Sequence, residues 1–314
     1  YRGADSEKRG KWIISDDGTG SNIESTFLLV DEIKIFNRTI ETANAGDLNG
    51  DGIEDFVLSR FDEKKIDIYF GSSSLSSGPD FSIDLSQSDI DFTPLNISSG
   101  DFNTDGYSDL LVSANNGVRA YIYYGGEIIN SIPDLIINPE EFVSSNIGSS
   151  RAYFSSNIGD VNGDGFEDFM LSSAIARLES SVYVNELYLF YGGANLSSTP
   201  SEVIKMGDIL DINSNIRLGY NSEKLGDINK DGIDDFAVAS DGLLNENGTR
   251  GAVHIFFGKT SGEFSSIDLT ITLPDSLQNA GLNFFGENIA SNGDVNGDGV
   301  NDLVITSYSS IFIN

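Results

Sequence analysis

The chain has 314 residues and carries 49 acidic against 18 basic side chains, a formal net charge of −31 that argues against nucleic acid and anionic membrane surfaces as partners. Hydrophobic residues make up 39% and aromatics 11%, so the composition is that of a globular chain, and no apolar run approaches the roughly 18 residues of a membrane-spanning helix. Cysteine is absent, and 34 glycines with abundant serine and asparagine fit many short strands joined by turns.

The first ten residues, YRGADSEKRG, are polar and lack the apolar core of a signal peptide; a start at Tyr1 without Met is expected of a processed or trimmed product. Residues 11–15 (KWIIS) then read as a strand, equivalent to the third strand of the repeat described next, and residues 25–36 as a fourth. At Gly46 begins GDLNGDGIEDFVLS, which returns as GDFNTDGYSDLLVS from Gly100, GDVNGDGFEDFMLS from Gly159, GDINKDGIDDFAVA from Gly226 and GDVNGDGVNDLVIT from Gly293. Each interval has the same order. A short strand enters the loop, as at Asn288-Ile289-Ala290, and a buried strand (FVLS, LLVS, FMLS, FAVA or LVIT) leaves it. A third strand ends in an aromatic and glycine, at Gly71, Gly125, Gly192 and Gly258, and a fourth follows a polar turn, as in residues 80–85 and 134–137. No segment reads as a helix. Residues 309–314 read as a third strand again. The expected architecture is all-β: a β-propeller of four-stranded antiparallel blades, with partial blade strands over 1–45 and successive loop repeats over 46–99, 100–158, 159–225, 226–292 and 293–314. They form either a closed five-blade ring or part of a larger ring of up to seven blades.

The recurring loop is D-x-N-x-D-G-x-x-D. Three carboxylates within nine residues repel one another unless a cation lies among them, and hard divalent cations take six to eight oxygen ligands. Positions 1, 3 and 5 offer side-chain oxygens, glycine at position 6 allows a sharp turn, position 7 offers its carbonyl and position 9 closes the set. No copy contains Cys or His, which excludes thiolate and imidazole sites. An EF-hand is excluded as well. It needs Glu at position 12, where Leu58, Val112, Leu171, Val238 and Ile305 stand, and flanking helices, where strand-forming residues follow.

These repeats resemble the FG-GAP repeats of integrin α-subunit β-propellers and their bacterial relatives, over nearly the whole chain from about Lys11. The Phe-Gly step stands at Phe285-Gly286 and is approximated at Leu218-Gly219 and Ile147-Gly148; the Gly-Ala-Pro step is replaced by Leu58-Ser59-Arg60, Val112-Ser113-Ala114 and Thr306-Ser307. The resemblance implies about five Ca²⁺ ions. Their ligands are Asp47, Asn49, Asp51, Ile53 (carbonyl) and Asp55; Asp101, Asn103, Asp105, Tyr107 (carbonyl) and Asp109; Asp160, Asn162, Asp164, Phe166 (carbonyl) and Asp168; Asp227, Asn229, Asp231, Ile233 (carbonyl) and Asp235; and Asp294, Asn296, Asp298, Val300 (carbonyl) and Asp302.

Other features are read as structural. His254, the single histidine, lies in a strand and leaves no His-based triad. Residues 17–21 (DGTGS) read as a polar turn, Trp12 as strand packing, and Arg2-Gly3-Ala4 is not an Arg-Gly-Asp motif. Sequons occur at Asn37, Asn96, Asn195 and Asn247. No catalytic signature is present. The expected function is therefore an extracellular, secreted or cell-surface, calcium-binding adhesion module that takes a protein or carbohydrate ligand at a propeller face. A carbohydrate-active hydrolase or lyase on the same scaffold, and a surface-layer or filament subunit that self-associates through its terminal strands, are the alternatives.

Overall fold

A computed structural model describes residues 11–16, 26–29, 34–37, 42–60, 63–72, 76, 78–85, 93–115, 119–142, 154–172, 185–211, 216–244, 250–274, 284–291 and 293–307. The turn at 17–21, the steps at Arg2-Gly3-Ala4 and Ile147-Gly148, the sequon at Asn247, the strand expected at 309–314, and the side chains of Trp12 and Asn37 lie outside the described residues.

The chain opens with β1 (Lys11–Asp16), β2 (Thr26–Leu29) and β3 (Lys34–Asn37) in a sheet of order β2-β1-β3, with β1 antiparallel to β2 and parallel to β3. Residues 25–36, expected as a single fourth strand, thus contribute to two. The acidic step Asp31-Glu32, poor in strand propensity, separates their apolar runs.

Four successive antiparallel meanders follow. Blade 1 is β4 (Thr42–Gly46), β5 (Asp55–Arg60), β6 (Lys65–Tyr69) and β7 (Phe81–Asp84). Blade 2 is β8 (Thr93–Gly100), β9 (Asp109–Asn115), β10 (Ala120–Tyr123) and β11 (Leu135–Ile137). Blade 3 is β12 (Phe154–Gly159), β13 (Asp168–Ser172), β14 (Glu186–Phe190) and β15 (Glu202–Lys205); blade 4 is β16 (Leu218–Gly226), β17 (Asp235–Ser240), β18 (Ala252–Phe256) and β19 (Leu269–Thr272). Blade 5 is represented among the described residues by β20 (Ile289–Ala290) paired with β21 (Val304–Ile305). Helix is confined, among the described residues, to one turn at Met206–Ile209 and a 3-10 turn at Pro139–Glu141.

The first strands lie side by side, β4 on β8, β8 on β12, β12 on β16 and β16 on β20, so the sheets stack in series like propeller blades. The core is divided into four layers, each between two neighbouring blades. On β9, Leu110 and Val112 face blade 1 while Leu111 joins the core with blade 3. On β13, Phe169 and Leu171 face blade 2 and Met170 faces blade 4; on β17, Phe236 and Val238 face blade 3 and Ala237 and Ala239 face blade 5. A strand covered on both faces reads as an unbroken apolar run, which is why FVLS, LLVS, FMLS and FAVA show no polar alternation.

At the two ends of the stack the loop side chains, among the described residues, are exposed. The residue at loop position 2 is buried by the next blade at Leu48 (1% exposed), Phe102 (0%) and Val161 (0%), whereas its counterpart Val295 is 85% exposed. At the other end Ile53, at position 7 of blade 1, is 47% exposed. His254 takes the structural role expected of it. It is fully buried on β18, with Nε2 2.8 Å from Ser240 Oγ and Nδ1 3.1 Å from Thr270 Oγ1.

Candidate metal centres

Each loop connects the first and second strands of its blade, and one pattern of hydrogen bonds recurs five times. The position-1 carboxylate accepts the N–H of position 5 on Oδ1 and that of the position-6 glycine on Oδ2. The distances are 3.1 and 2.8 Å for Asp47, 3.1 and 3.0 Å for Asp101, 3.0 and 2.8 Å for Asp160, 2.9 and 2.8 Å for Asp227, and 3.0 and 2.7 Å for Asp294. Asn49, Asn103, Asn162, Asn229 and Asn296 each accept the position-5 N–H on Oδ1, an Asx turn. The position-5 carboxylates of Asp51, Asp105, Asp164, Asp231 and Asp298 accept the N–H of position 7, at Ile53, Tyr107, Phe166, Ile233 and Val300.

The position-6 glycines Gly52, Gly106, Gly165, Gly232 and Gly299 have φ between +84° and +94°, and a Cβ there would meet open space. Glycine is thus required by the backbone angle and not by crowding. Position 4 is also left-handed. Gly50, Gly163 and Gly297 have φ of 75°, 73° and 77°, and Thr104 and Lys230 hold 55° and 63° despite their side chains. The sequence reading missed this second left-handed position, although glycine stands there in three of five copies.

Position 9 does more than a ligand would. Asp55, Asp109, Asp168 and Asp235 are buried. Oδ2 accepts the position-2 N–H (Leu48, Phe102, Val161 and Ile228) at 2.9–3.1 Å. Oδ1 accepts the N–H of the glycine after the third strand (Gly71, Gly125, Gly192 and Gly258) at 2.7–3.0 Å. The aspartate therefore staples the loop to the third strand of its own blade. Burial pushes the Asp109 and Asp168 carboxyls up to about 7 and that of Asp235 up to about 6. The backbone N–H groups hold the rise back, and the position-5 carboxylate adds to it. Asp55 is raised for the same reasons, burial first.

The five residues named for each loop are thus gathered in one turn, with side-chain amide-to-carboxylate contacts of 2.9–3.2 Å between positions 3 and 5 in loops one to four. In the fifth loop Asn296 Nδ2 instead reaches Asp302 Oδ1 at 3.1 Å. Among the described residues no three acidic or imidazole side chains converge on one point, because the carboxylates of positions 1 and 9 are engaged by backbone N–H groups. The donor chemistry still fits a hard cation. Every side-chain and carbonyl donor is oxygen, each carboxylate oxygen has a second lone pair, and crowded carboxylates raise one another's pKa. The ion pairs of Arg60, Lys65, Arg217, Lys224 and Lys259 go to Glu63, Asp67, Glu167, Asp234, Asp241 and Asp268, outside positions 1, 5 and 9, while the Gly299 N–H, and with it the charge of Lys230 in the fourth loop, lowers the pKa of the Asp294 carboxyl.

The loops also contact the blade that follows. Ser108 N–H donates to Asp47 O and Gly126 N–H to Leu48 O; Gly193 N–H donates to Phe102 O and Lys259 N–H to Val161 O. The glycine after each third strand lies against the position-8 carbonyl of its own loop (Glu54, Ser108, Glu167 or Asp234), and Gly125 and Gly192 also meet a carbonyl of the preceding blade. A Cβ on Gly125 would press on Ser108 O and on Leu48 O (2.8 Å), and one on Gly192 on Phe102 O (3.0 Å). Of the sequons, Asn195 is exposed, while Asn96 is half-buried on β8, with Oδ1 accepting from Ser155 N–H and Oγ.

A family model described as an FG-GAP-like repeat matches residues 101–171, which span the second loop through β13. Integrin alpha-PS5 of Drosophila melanogaster is 30% identical over 217 residues, 67% of this chain and 20% of that protein. Integrin alpha-4 of Xenopus laevis is 29% identical over 158 residues, 48% of this chain and 14% of that protein. Phosphatidylinositol-glycan-specific phospholipase D of Bos taurus is 31% identical over 153 residues, 47% of this chain and 17% of that protein. The chain spans a fifth or less of the length of these relatives. Its repeated loop, its four-stranded sheets and these similarities together place it in one family: the chain belongs to the FG-GAP repeat, integrin α-like proteins.

Proposed function

We propose that the chain is a calcium-stabilised segment of an extracellular β-propeller that works as a protein-binding, adhesion-type module. The observation that carries it is the recurrence, five times, of one turn that gathers the oxygen-bearing side chains of positions 1, 3 and 5 around the same backbone N–H. Positions 1, 3, 5, 7 and 9 of each loop would hold one Ca²⁺, for example Asp160, Asn162, Asp164, the Phe166 carbonyl and Asp168. The ion would supply the positive charge that lets these carboxylates stay ionised side by side. Extracellular calcium is high enough to fill modules that bind at about 10⁻⁴–10⁻³ M, which supports a location outside the cell.

The resemblance to integrin α subunits supports a protein ligand over a carbohydrate. The test is an array of extracellular-matrix proteins and glycans probed in Ca²⁺ and in EGTA, alongside a polysaccharide turnover assay. Calcium-dependent binding to a protein is expected. Binding confined to glycans, or turnover that a non-loop Asp substitution abolishes, would replace this reading with the carbohydrate-binding or enzymatic one.

A further inference from the structure

Position 8 of the repeat, one residue before the stapling aspartate, reaches back onto the preceding blade. Glu167 Oε2 accepts the backbone N–H of Asp101 at 3.1 Å and the Nδ2 of Asn157 at 3.0 Å. Asp234 Oδ2 accepts the backbone N–H of Asp160, also at 3.1 Å. Asp101 and Asp160 are position 1 of the second and third loops, the residues whose carboxylates hold the N–H groups of positions 5 and 6. Lys224, on β16, joins the two acceptors, with Nζ 2.7 Å from Glu167 Oε1 and 3.2 Å from Asp234 Oδ2. One line of contacts therefore runs from Asp101 N–H through Glu167, Lys224 and Asp234 to Asp160 N–H, across blades 2, 3 and 4.

The remaining two junctions are built differently. Position 8 is Ser108 in one, which donates its N–H to Asp47 O, and Asn301 in the other, which donates Nδ2 to Leu225 O. The glycines before position 1 make the carboxylate junctions possible: a Cβ on Gly100 would strike Glu167 Oε2, and one on Gly159 would strike Asp234.

On the calcium reading above, we propose that Glu167, Lys224 and Asp234 couple the occupancy of the second, third and fourth loops, so that these three sites fill cooperatively while the first and fifth fill independently. Glu167 adjoins Asp168 of the third loop, and Asp234 adjoins Asp235 of the fourth. A cation that orders the third loop fixes Glu167, which then holds the position-1 backbone of the second loop in place. A cation in the fourth loop fixes Asp234, which does the same for the third. Order established at one site need not be established again at the next, and by linkage the effect is the same in both directions. Glu167 and Asp234 act as positioning residues, since they hold a ligand's backbone without touching the ion. Lys224 neutralises the two carboxylates that share it.

The test titrates the full chain, stripped with EGTA and exchanged into buffer, with CaCl₂ alone. It follows the backbone amides of Gly52, Gly106, Gly165, Gly232 and Gly299 by NMR, because each N–H is held by the position-1 carboxylate of its own loop. Gly106, Gly165 and Gly232 should move over one narrow calcium range with a Hill coefficient above 1, and Gly52 and Gly299 at midpoints of their own. Glu167→Ala should move the Gly106 midpoint about tenfold higher in calcium and leave those of Gly52 and Gly299 in place. Glu167→Gln keeps an acceptor for the Asp101 N–H and should recover most of that shift. Lys224→Met should broaden the shared transition, and together with Glu167→Gln it carries the test if Glu167→Ala fails to fold. Independent midpoints for the three glycines in the unaltered chain, or an unmoved Gly106 midpoint in Glu167→Ala, would overturn the coupling and leave the calcium reading standing. Five glycines indifferent to calcium would overturn both.

Discussion

Gly125→Ala tests the close approach of the third strand of blade 2 to the loops of blades 1 and 2, independently of any metal. Gly125 lies two residues beyond β10 and has no positive φ, so alanine is compatible with its backbone and the cost is steric. The new Cβ would press on Ser108 O, on Leu48 O at 2.8 Å and on Tyr107 Cβ at 2.9 Å. Two of these are backbone carbonyls of the loops, Ser108 in blade 2 itself and Leu48 in blade 1, so the third strand must shift away from both loops. The shift lengthens Gly125 N–H to Asp109 Oδ1 (3.0 Å) and Gly126 N–H to Leu48 O (2.8 Å). Overpacking costs about 1–3 kcal/mol and two weakened hydrogen bonds add about 1 kcal/mol each, for a total of about 3–5 kcal/mol. Gly106→Ala in the same blade is the control: its Cβ meets nothing, and only the left-handed φ of 92° is penalised, by about 1–2 kcal/mol. Urea unfolding in EGTA should place the Gly125→Ala midpoint clearly below that of Gly106→Ala. A Gly125→Ala midpoint equal to that of the unaltered chain would refute the close approach of loop and third strand.

Three further outcomes are expected. Burial lowers the pKa of His254 to about 4, so the neutral ring stabilises the fold above its unfolded pKa of about 6.5 and this contribution is lost as pH falls from there through 4. Between pH 7 and pH 4, His254→Gln should therefore lose about 3 kcal/mol less than the unaltered chain, and parallel stability profiles would contradict the burial argument. Thr104 holds a left-handed φ of 55°, so Thr104→Gly should raise stability by about 1 kcal/mol in a denaturant melt, whereas a loss would mean that the side chain is held there by contacts. Asp164→Ala should empty the third loop, seen as a Gly165 amide that no longer responds to calcium, and a normal response would remove Asp164 from the ligand set.

The loops and the strands around them were legible because their signals are local. D-x-N-x-D-G-x-x-D specifies its own Asx turns and its left-handed glycine within nine residues, and the apolar runs that follow announce strands covered on both faces. What escaped the sequence is what joins residues far apart. The glycine after each aromatic strand end was visible, but its reason, the position-8 carbonyl of its own loop 17 to 25 residues earlier pressed against it, depends on tertiary packing that no local pattern encodes. The position-9 aspartates were read as ligands only, since the N–H groups of Gly71 and Gly192 lie 16 and 24 residues downstream of Asp55 and Asp168. Position 8 varies among Glu, Ser, Asp and Asn and carries no local signal, because the partners of Glu167 and Asp234 lie 66 and 74 residues away. The parallel pairing of β1 with β3 likewise departs from the antiparallel repeat on which the opening segment was read.

Calcium titration calorimetry, with melting curves of the same protein in Ca²⁺, Mg²⁺ and EGTA, tests the central claim most directly. Each ion that binds only the folded chain adds about 1.4 kcal/mol at ten times its Kd, so several filled loops are a large fraction of a domain's net stability. Uptake of about five Ca²⁺ per chain is expected, together with a large fall in melting temperature in EGTA that Ca²⁺ restores fully and Mg²⁺ only in part. Absence of binding heat, with melting curves that superimpose in Ca²⁺ and EGTA, would show that the five loops are turns held by their own hydrogen bonds, and would contradict the account.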